Sequence, residues 1–335
     1  MEGTMTTAIT STPDTWTDGT ANWNTPGDWS AGVPTASSDV VINTGGNPQV
    51  TASFGTVNSI ADSGQLDFNN AGASSVTGGV SVNPPGALDL DASSGAGGSS
   101  LTVGGALTNS GTIAIGPSDN SLAAASTVTA ASLDNTGTIN LNGSSSAEAT
   151  LNVTGAFTND FNIFLSQDTE KIPAPITGGG GFLLKNGSML EFGSAVSSGQ
   201  GVGFEAGSAD ELILDQPLAF HGTIYVFGAG DEIDFPTLAY AKGDHAVDTN
   251  GSVAIETSAG KTVAKFNVIG TYASANFNVG KDVSGDVLVT YAATAANAAA
   301  DLLGRYDSAF AEPPSTPTSD ALAFDAWTAL GSSAG

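Results

Sequence analysis

Carboxylates dominate the chemistry open to this chain: Asp and Glu number 33, against 7 Lys and Arg and 2 His. A carboxylate can ligate a hard cation, work as half of an acid–base pair, or accept hydrogen bonds from amides. In "GAGDEIDF", Asp231, Glu232 and Asp234 stand beside two glycines, an oxygen-rich turn that is a candidate Ca2+ site. Its spacing matches neither an EF-hand nor the calcium-binding nonapeptide, and Ile233 and Phe235 alternate with the acids as in a strand leaving a tight turn. Asp67 and Asp89 recur at one position of a repeat. On neighbouring strands they would lie about 5 Å apart, where like charges call for screening, a bridging cation or diverging side chains in solvent. A pair of aspartates could also serve glycoside hydrolysis. His221 and His245 have no second His or Cys at ligand spacing and read as surface or turn residues. "GxSxG", "GxxxxGK" and "HExxH" are absent, so nucleophilic, phosphate-cradling and zinc-hydrolase signatures are missing.

The elements that must position these residues follow from a phrase written several times. "GALTNSGTIAIG", "ASLDNTGTINLNG" and "GAFTNDFNIFLS" share one template, and "IADSGQLDF" and "VNPPGALDL" extend it backwards. Its first apolar place falls at Ile60, Val82, Leu107, Leu133 and Phe157. The seventh falls at Leu66, Leu88, Ile113, Ile139 and Ile163, and the ninth at Phe68, Leu90, Ile115, Leu141 and Leu165. Alternation of this kind is a half-buried strand, and a repeat of about 22–26 residues without helical pattern between is the mark of a parallel β-helix. The fifth place holds Gly64, Gly86, Gly111 and Gly137, read as turn residues with positive φ; Phe161 interrupts the column. The third place holds Asn109, Asn135 and Asn159. Their amides either stack inward as a structural ladder or start a β-turn outward, the second being preferred because glycine follows.

Trp16, Trp23 and Trp29 precede the first clear coil. They are read as an N-terminal cap over the open strand edge, with stacking on glycan faces as the alternative; exposure decides between them. The expected organisation is an N-terminal extension and Trp-rich cap over 1–45, a β-solenoid over 46–292, and a tail over 293–335. That tail holds an Ala-rich helix, a Pro linker and a short C-terminal helix whose Phe324, Trp327 and Leu330 are candidate assembly contacts.

Charge and composition bound the partners. A net charge of −26 repels phosphate backbones, excluding nucleic acid. Every basic residue lies from Lys171 onward, so the first 170 residues have no Lys or Arg to pair with their acids. Zero cysteine removes disulfides and thiolate metal sites, and no apolar run is long enough for a transmembrane segment.

The three tryptophans followed by "GVP" and "SDVVI", the coils, and the closing "LDQPLAFHGTIYVFGAGDEIDF" and "VIGTYASANFNVGKDVSGDVLVTY" together resemble bacterial secreted β-solenoid surface proteins, the autotransporter-passenger-like and adhesin-like group. The resemblance implies an extracellular or bacterial cell-surface location, a structural or adhesive role and no catalytic residues. A C-terminal membrane barrel of the autotransporter kind is not evident; the acidic, apolar terminus is similar instead to an uncleaved one-step secretion signal. The expected function is thus a non-enzymatic surface protein, self-associating head to tail into a fibre and contacting glycan or matrix, with no obligatory cofactor. Glycan binding, or polysaccharide degradation on the same scaffold, is the alternative.

Overall fold

The computed structural model describes residues 12–292. The fold is an all-β parallel β-solenoid of about ten turns, divided into two compact units, Met1–Ile176 and Thr177–Gly335. Helix among the described residues amounts to two short 3-10 turns, Pro26–Asp28 and Ser274–Asn276. The helices expected after residue 292 lie outside the described residues.

In the first unit, one sheet stacks Asp14–Thr15, Asp39–Ile42, Ser59–Asp62, Val80–Val82, Ser100–Asn109, Ser126–Asn135 and Phe157–Asn159. A second stacks Thr20–Asn22, Asn47–Val50, Gln65–Phe68, Ala87–Leu90, Thr112–Ile115, Thr138–Asn142 and Asn162–Ser166. The strands within these stacks pair in parallel. Leu66, Leu88, Ile113, Ile139 and Ile163 are successive register partners, and so are Phe68, Leu90, Ile115, Leu141 and Leu165. All ten side chains are buried, forming two continuous apolar columns in the core. Repetition of apolar residues at the same phase in each coil leaves every coil a matching surface to stack on.

One column differs from the sequence template. Ile60 pairs with Val80, which pairs with Leu107, while Val82 lies between Asp62 and Asn109. The segment Asn83–Pro84–Pro85 lengthens this turn by two residues relative to its neighbours while keeping Gly86 aligned, so Val82 belongs to the asparagine column. The glycine column also has a different cause from the one expected. Gly64, Gly86, Gly111 and Gly137 are not among the positive-φ residues. Instead a Cβ at Gly64 would collide with the carbonyl oxygen of Gly46, at Gly111 with that of Gly86, and at Gly137 with that of Gly111. The coils stack so closely here that only glycine fits.

The tryptophan segment forms the first turn of the solenoid. Asp14–Thr15 pairs with Asp39–Ile42, and Thr20–Asn22 with Asn47–Val50. Trp16, Trp23 and Trp29 are 3%, 0% and 4% exposed, Trp29 meeting the other two edge-on at 4.9 and 4.7 Å, with Phe54 stacked on Trp23. The Trp29 indole donates to the Trp23 carbonyl and that of Trp16 to the Gly19 carbonyl. No indole face remains for a sugar, so the glycan-stacking alternative at these residues is corrected: burying about 200 Å² of each ring inside the first turn serves packing.

The second unit begins in the same manner. Gly181–Lys185, Gly201–Phe204 and Thr223–Tyr225 stack in parallel, as do Met189–Phe192, Glu211–Leu214 and Glu232–Ala239. Coiling was expected to run on to about residue 292; Thr262–Ile269 still stacks in parallel on Thr223–Tyr225, but the remaining pairings of the later strands are antiparallel. Thr262–Ile269 pairs with Ser252–Glu256, which pairs with His245–Thr249; Asp286–Tyr291 lies between Glu232–Ala239 and Phe277–Lys281. Asn250 and Gly251, at φ 53° and 82°, make the two-residue primed turn that reverses the chain.

Candidate functional site

The buried acids bond the chain's own amides. Asp91 is fully buried and accepts from the amides of Asn70 (2.6 Å) and Ser99 (3.0 Å) and from the hydroxyls of Ser99 and Ser126. Asp168 and Glu170 accept from the amides of Ala149 (2.9 Å) and Leu151 (3.1 Å), clasping the strand Ala149–Val153. Burial pushes Asp168 up to about 7 and Glu170 well above the usual carboxylate range. Asp62, also buried, accepts from the Gly64 amide and is raised by burial to about 7. Sequence reading missed Asp62, Asp168 and Glu170. A signal existed for Glu170, which shares the strand phase of the buried Ile172 in "DTEKI".

Asp67 and Asp89 are direct register partners, as expected. They are not two solvated carboxylates: Asp67 is only 5% exposed. Gln49 donates to Asp67 and Gln65 to Asp89, each at 2.9 Å, so each acid has an amide partner on the preceding coil. Burial raises both, Asp89 to about 6 with the Asp67 charge adding to the effect.

The candidate calcium turn separates its acids. Asp231 accepts from the amides of Gly228 (2.8 Å) and Asp210 (3.4 Å). Asp210 in turn accepts from Gly187 and Ser188 at 2.9 and 2.8 Å, so acids of successive coils each hold the turn before them. Glu232 and Asp234 lie on the strand, opposite Glu211 and Ile213. Burial first, then the nearby Asp282, pushes Asp234 up to about 6; burial pushes Asp231 up to about 7. Among the described residues no group of three or more Asp, Glu or His is placed to hold a metal ion.

Asn109, Asn135 and Asn159 are fully buried, and the preferred outward-turn reading is corrected. The Asn109 amide donates to Asn135 Oδ1 and the Asn135 amide to Asn159 Oδ1, both at 2.8 Å. The ladder stops at Val82, which cannot donate, and Asn109 Oδ1 is left buried without a partner. His221 is exposed at a turn. His245 lies exposed on a cavity of about 410 Å³, with Asp244, Ser274, Phe277, Asn278 and Tyr291 among its walls. Phe324, Trp327 and Leu330 lie outside the described residues.

A family model described as "Hyphally regulated cell wall protein N-terminal" matches residues 39–298. No curated protein matches the chain. The match upholds a surface protein with a β-helix; kinship with bacterial autotransporters does not follow from it.

Proposed function

The chain belongs to the hyphally regulated cell wall protein N-terminal family, and from that premise we propose that it is a non-enzymatic structural or adhesive element of the cell surface. The location, extracellular or at the surface, is that of its family. The observation supporting the role is the way the carboxylates are used: Asp91, Asp168, Glu170, Asp210 and Asp231 accept amides of neighbouring coils, while Asp62 holds its own turn through the Gly64 amide. Acid–base catalysis on a sugar would need a carboxylate pair open to substrate across a cleft. Asp67 is instead buried against Gln49.

Self-association is the further step of this reading. The first turn offers only strands of two and three residues at its edge, so a junction between copies would draw on the terminal segments, the Thr-rich start and the apolar 321–330. A net charge of −26 opposes it and salt favours it. Fractionation of cells into wall, membrane and soluble pools tests the location; finding the protein in the soluble intracellular pool overturns the reading. Light scattering across salt concentrations, with and without residues 312–335, tests association; a monomer at every concentration overturns that step alone.

A further inference from the structure

Two sheets end at one cavity in the second unit without pairing there. The thirteen-stranded sheet closes on His245–Thr249 and the six-stranded sheet on Phe277–Lys281, and residues of both strands line the cavity. The direction of their backbone groups follows from the bonds they already make. Ala292 donates to the Asn276 carbonyl at 2.7 Å and Asp282 to that of Asp286 at 3.0 Å. Alternation along this ladder turns the backbone groups of Asn278 and Gly280 toward Asp286–Tyr291 and those of Val279 away from it. On the other strand, the two-residue turn at Asn250 and Gly251 makes Thr249 and Ser252 a bonded pair, so Ala246 and Asp248 face outward. The Asp248 amide accordingly donates to the Ser274 hydroxyl at 2.8 Å rather than to a strand. Ala246 and Val279 each present an N–H and a C=O at these outer edges, and no described residue bonds them. Open edges of this kind accept an added strand.

We propose that the chain's own segment 321–330 occupies this slot as an added strand along Phe277–Lys281, its backbone bonding Val279 and its apolar row covering Phe277 and Ala246. Three observations select that occupant. Ala292 is part of the cavity wall, so the chain continues from the slot itself. A coil of the 28 residues 293–320 would span about 30 Å, which holds the segment at an effective concentration of order millimolar. Its sequence suits a strand: Leu322, Phe324, Ala326, Thr328 and Leu330 fall on one face and Asp325 on the other, whereas Pro313, Pro314 and Pro317 before it cannot donate to a ladder. Residues 1–11, the other candidate, enter the fold through Asp14–Thr15 in the first unit. The short helix expected from composition gives way to a strand because the slot offers backbone bonds that a helix has already spent on itself. Self-association through 321–330 then requires the segment to leave its slot.

The test uses the full chain, whose lack of cysteine allows a single one to be placed. Gly280→Cys, where a Cβ meets open space, carries a benzophenone crosslinker. Products from an equal mixture of 15N-labelled and unlabelled chains are mapped by mass spectrometry, and the crosslink is expected on residues 321–330 of the same chain. Amide exchange is the second readout. In the full chain carrying Leu322→Asp and Phe324→Asp, the Val279 amide should exchange about tenfold or more faster than in the unaltered chain. The Leu288 amide, paired with Gly280 inside the sheet, should keep its rate. A crosslink confined to another segment such as residues 1–11, a crosslink joining chains of different label, or equal exchange of Val279 in the two proteins overturns the proposal.

Discussion

A buried amide ladder can be tested one rung at a time. Asn135→Ala removes both inter-coil bonds and leaves a space in the buried asparagine column, and should cost about 2–4 kcal/mol in urea unfolding. Val82 offers the converse. Asparagine there would sit directly before Asn109, whose Oδ1 lacks a donor, and face Asp62, whose Oδ2 also lacks a partner. Val82→Asn should therefore cost markedly less than Val80→Asn, the same chemical change in the apolar column; equal costs would show that the ladder contributes nothing. The acids lead to a second expectation. Asp231 already accepts amide bonds on both carboxylate oxygens, so calcium has little to gain at this turn. Melting curves with EDTA and with excess Ca2+ should coincide, and a chelator-dependent fall in Tm would restore Asp231, Glu232 and Asp234 as a metal site.

Close stacking of coils makes the glycine column the most intolerant feature of the elements. Gly111→Ala drives a methyl group into the Gly86 carbonyl and cannot be relieved by a rotamer change, so it should destabilise by about 3 kcal/mol or more. Gly19→Ala, with open space at its Cβ, should be tolerated. Ile139→Asp places a charge in the fully buried column and should unfold the first unit, whereas Thr138→Asp, half-exposed on the same strand, should not; thermal melts read all four. These columns were legible because period-2 alternation at a fixed interval has few structural causes. The asparagines were visible but their direction was not, since Asn before Gly is equally the signature of an outward turn. Val82 was assigned to the wrong column because counting back from Gly86 satisfies the template, and the two extra turn residues show only in the backbone pairing. The antiparallel close was hidden because "DVLVTY" alternates like any coil strand, although "TNGS" held the hairpin signal. The clasping acids were illegible except at Glu170, because a carboxylate bonding a backbone amide on another coil needs no particular neighbour in sequence.

Across the whole molecule, the same acids set a dependence of stability on pH opposite to that of proteins held by ion pairs. Burial raises Asp62, Asp168 and Asp231 to about 7 and Asp89 and Asp234 to about 6, with Glu170 well above its ordinary range. Their unfolded values are near 4. Between about pH 4 and pH 7 the folded chain therefore binds more protons than the unfolded chain, and stability falls as pH rises through that window, levelling off above it. A protonated carboxyl still accepts an amide bond through its carbonyl oxygen, so the clasps at Ala149 and Gly228 survive acidification. Self-repulsion of a chain with net charge −26 weakens in the same direction as the pH approaches its pI of about 4.1. Tm at pH 5 should exceed Tm at pH 8 by about 5–10 °C. Salt separates the two contributions: screening in 0.5 M NaCl reduces repulsion between surface charges far more than the cost of ionising a buried group. A slope that persists in high salt and flattens in Asp168→Asn, which keeps an acceptor for Ala149 without the titration, assigns the effect to the buried acids. A slope abolished by salt assigns it to the surface, and a protein more stable at pH 8 than at pH 5 contradicts the raised carboxylates outright.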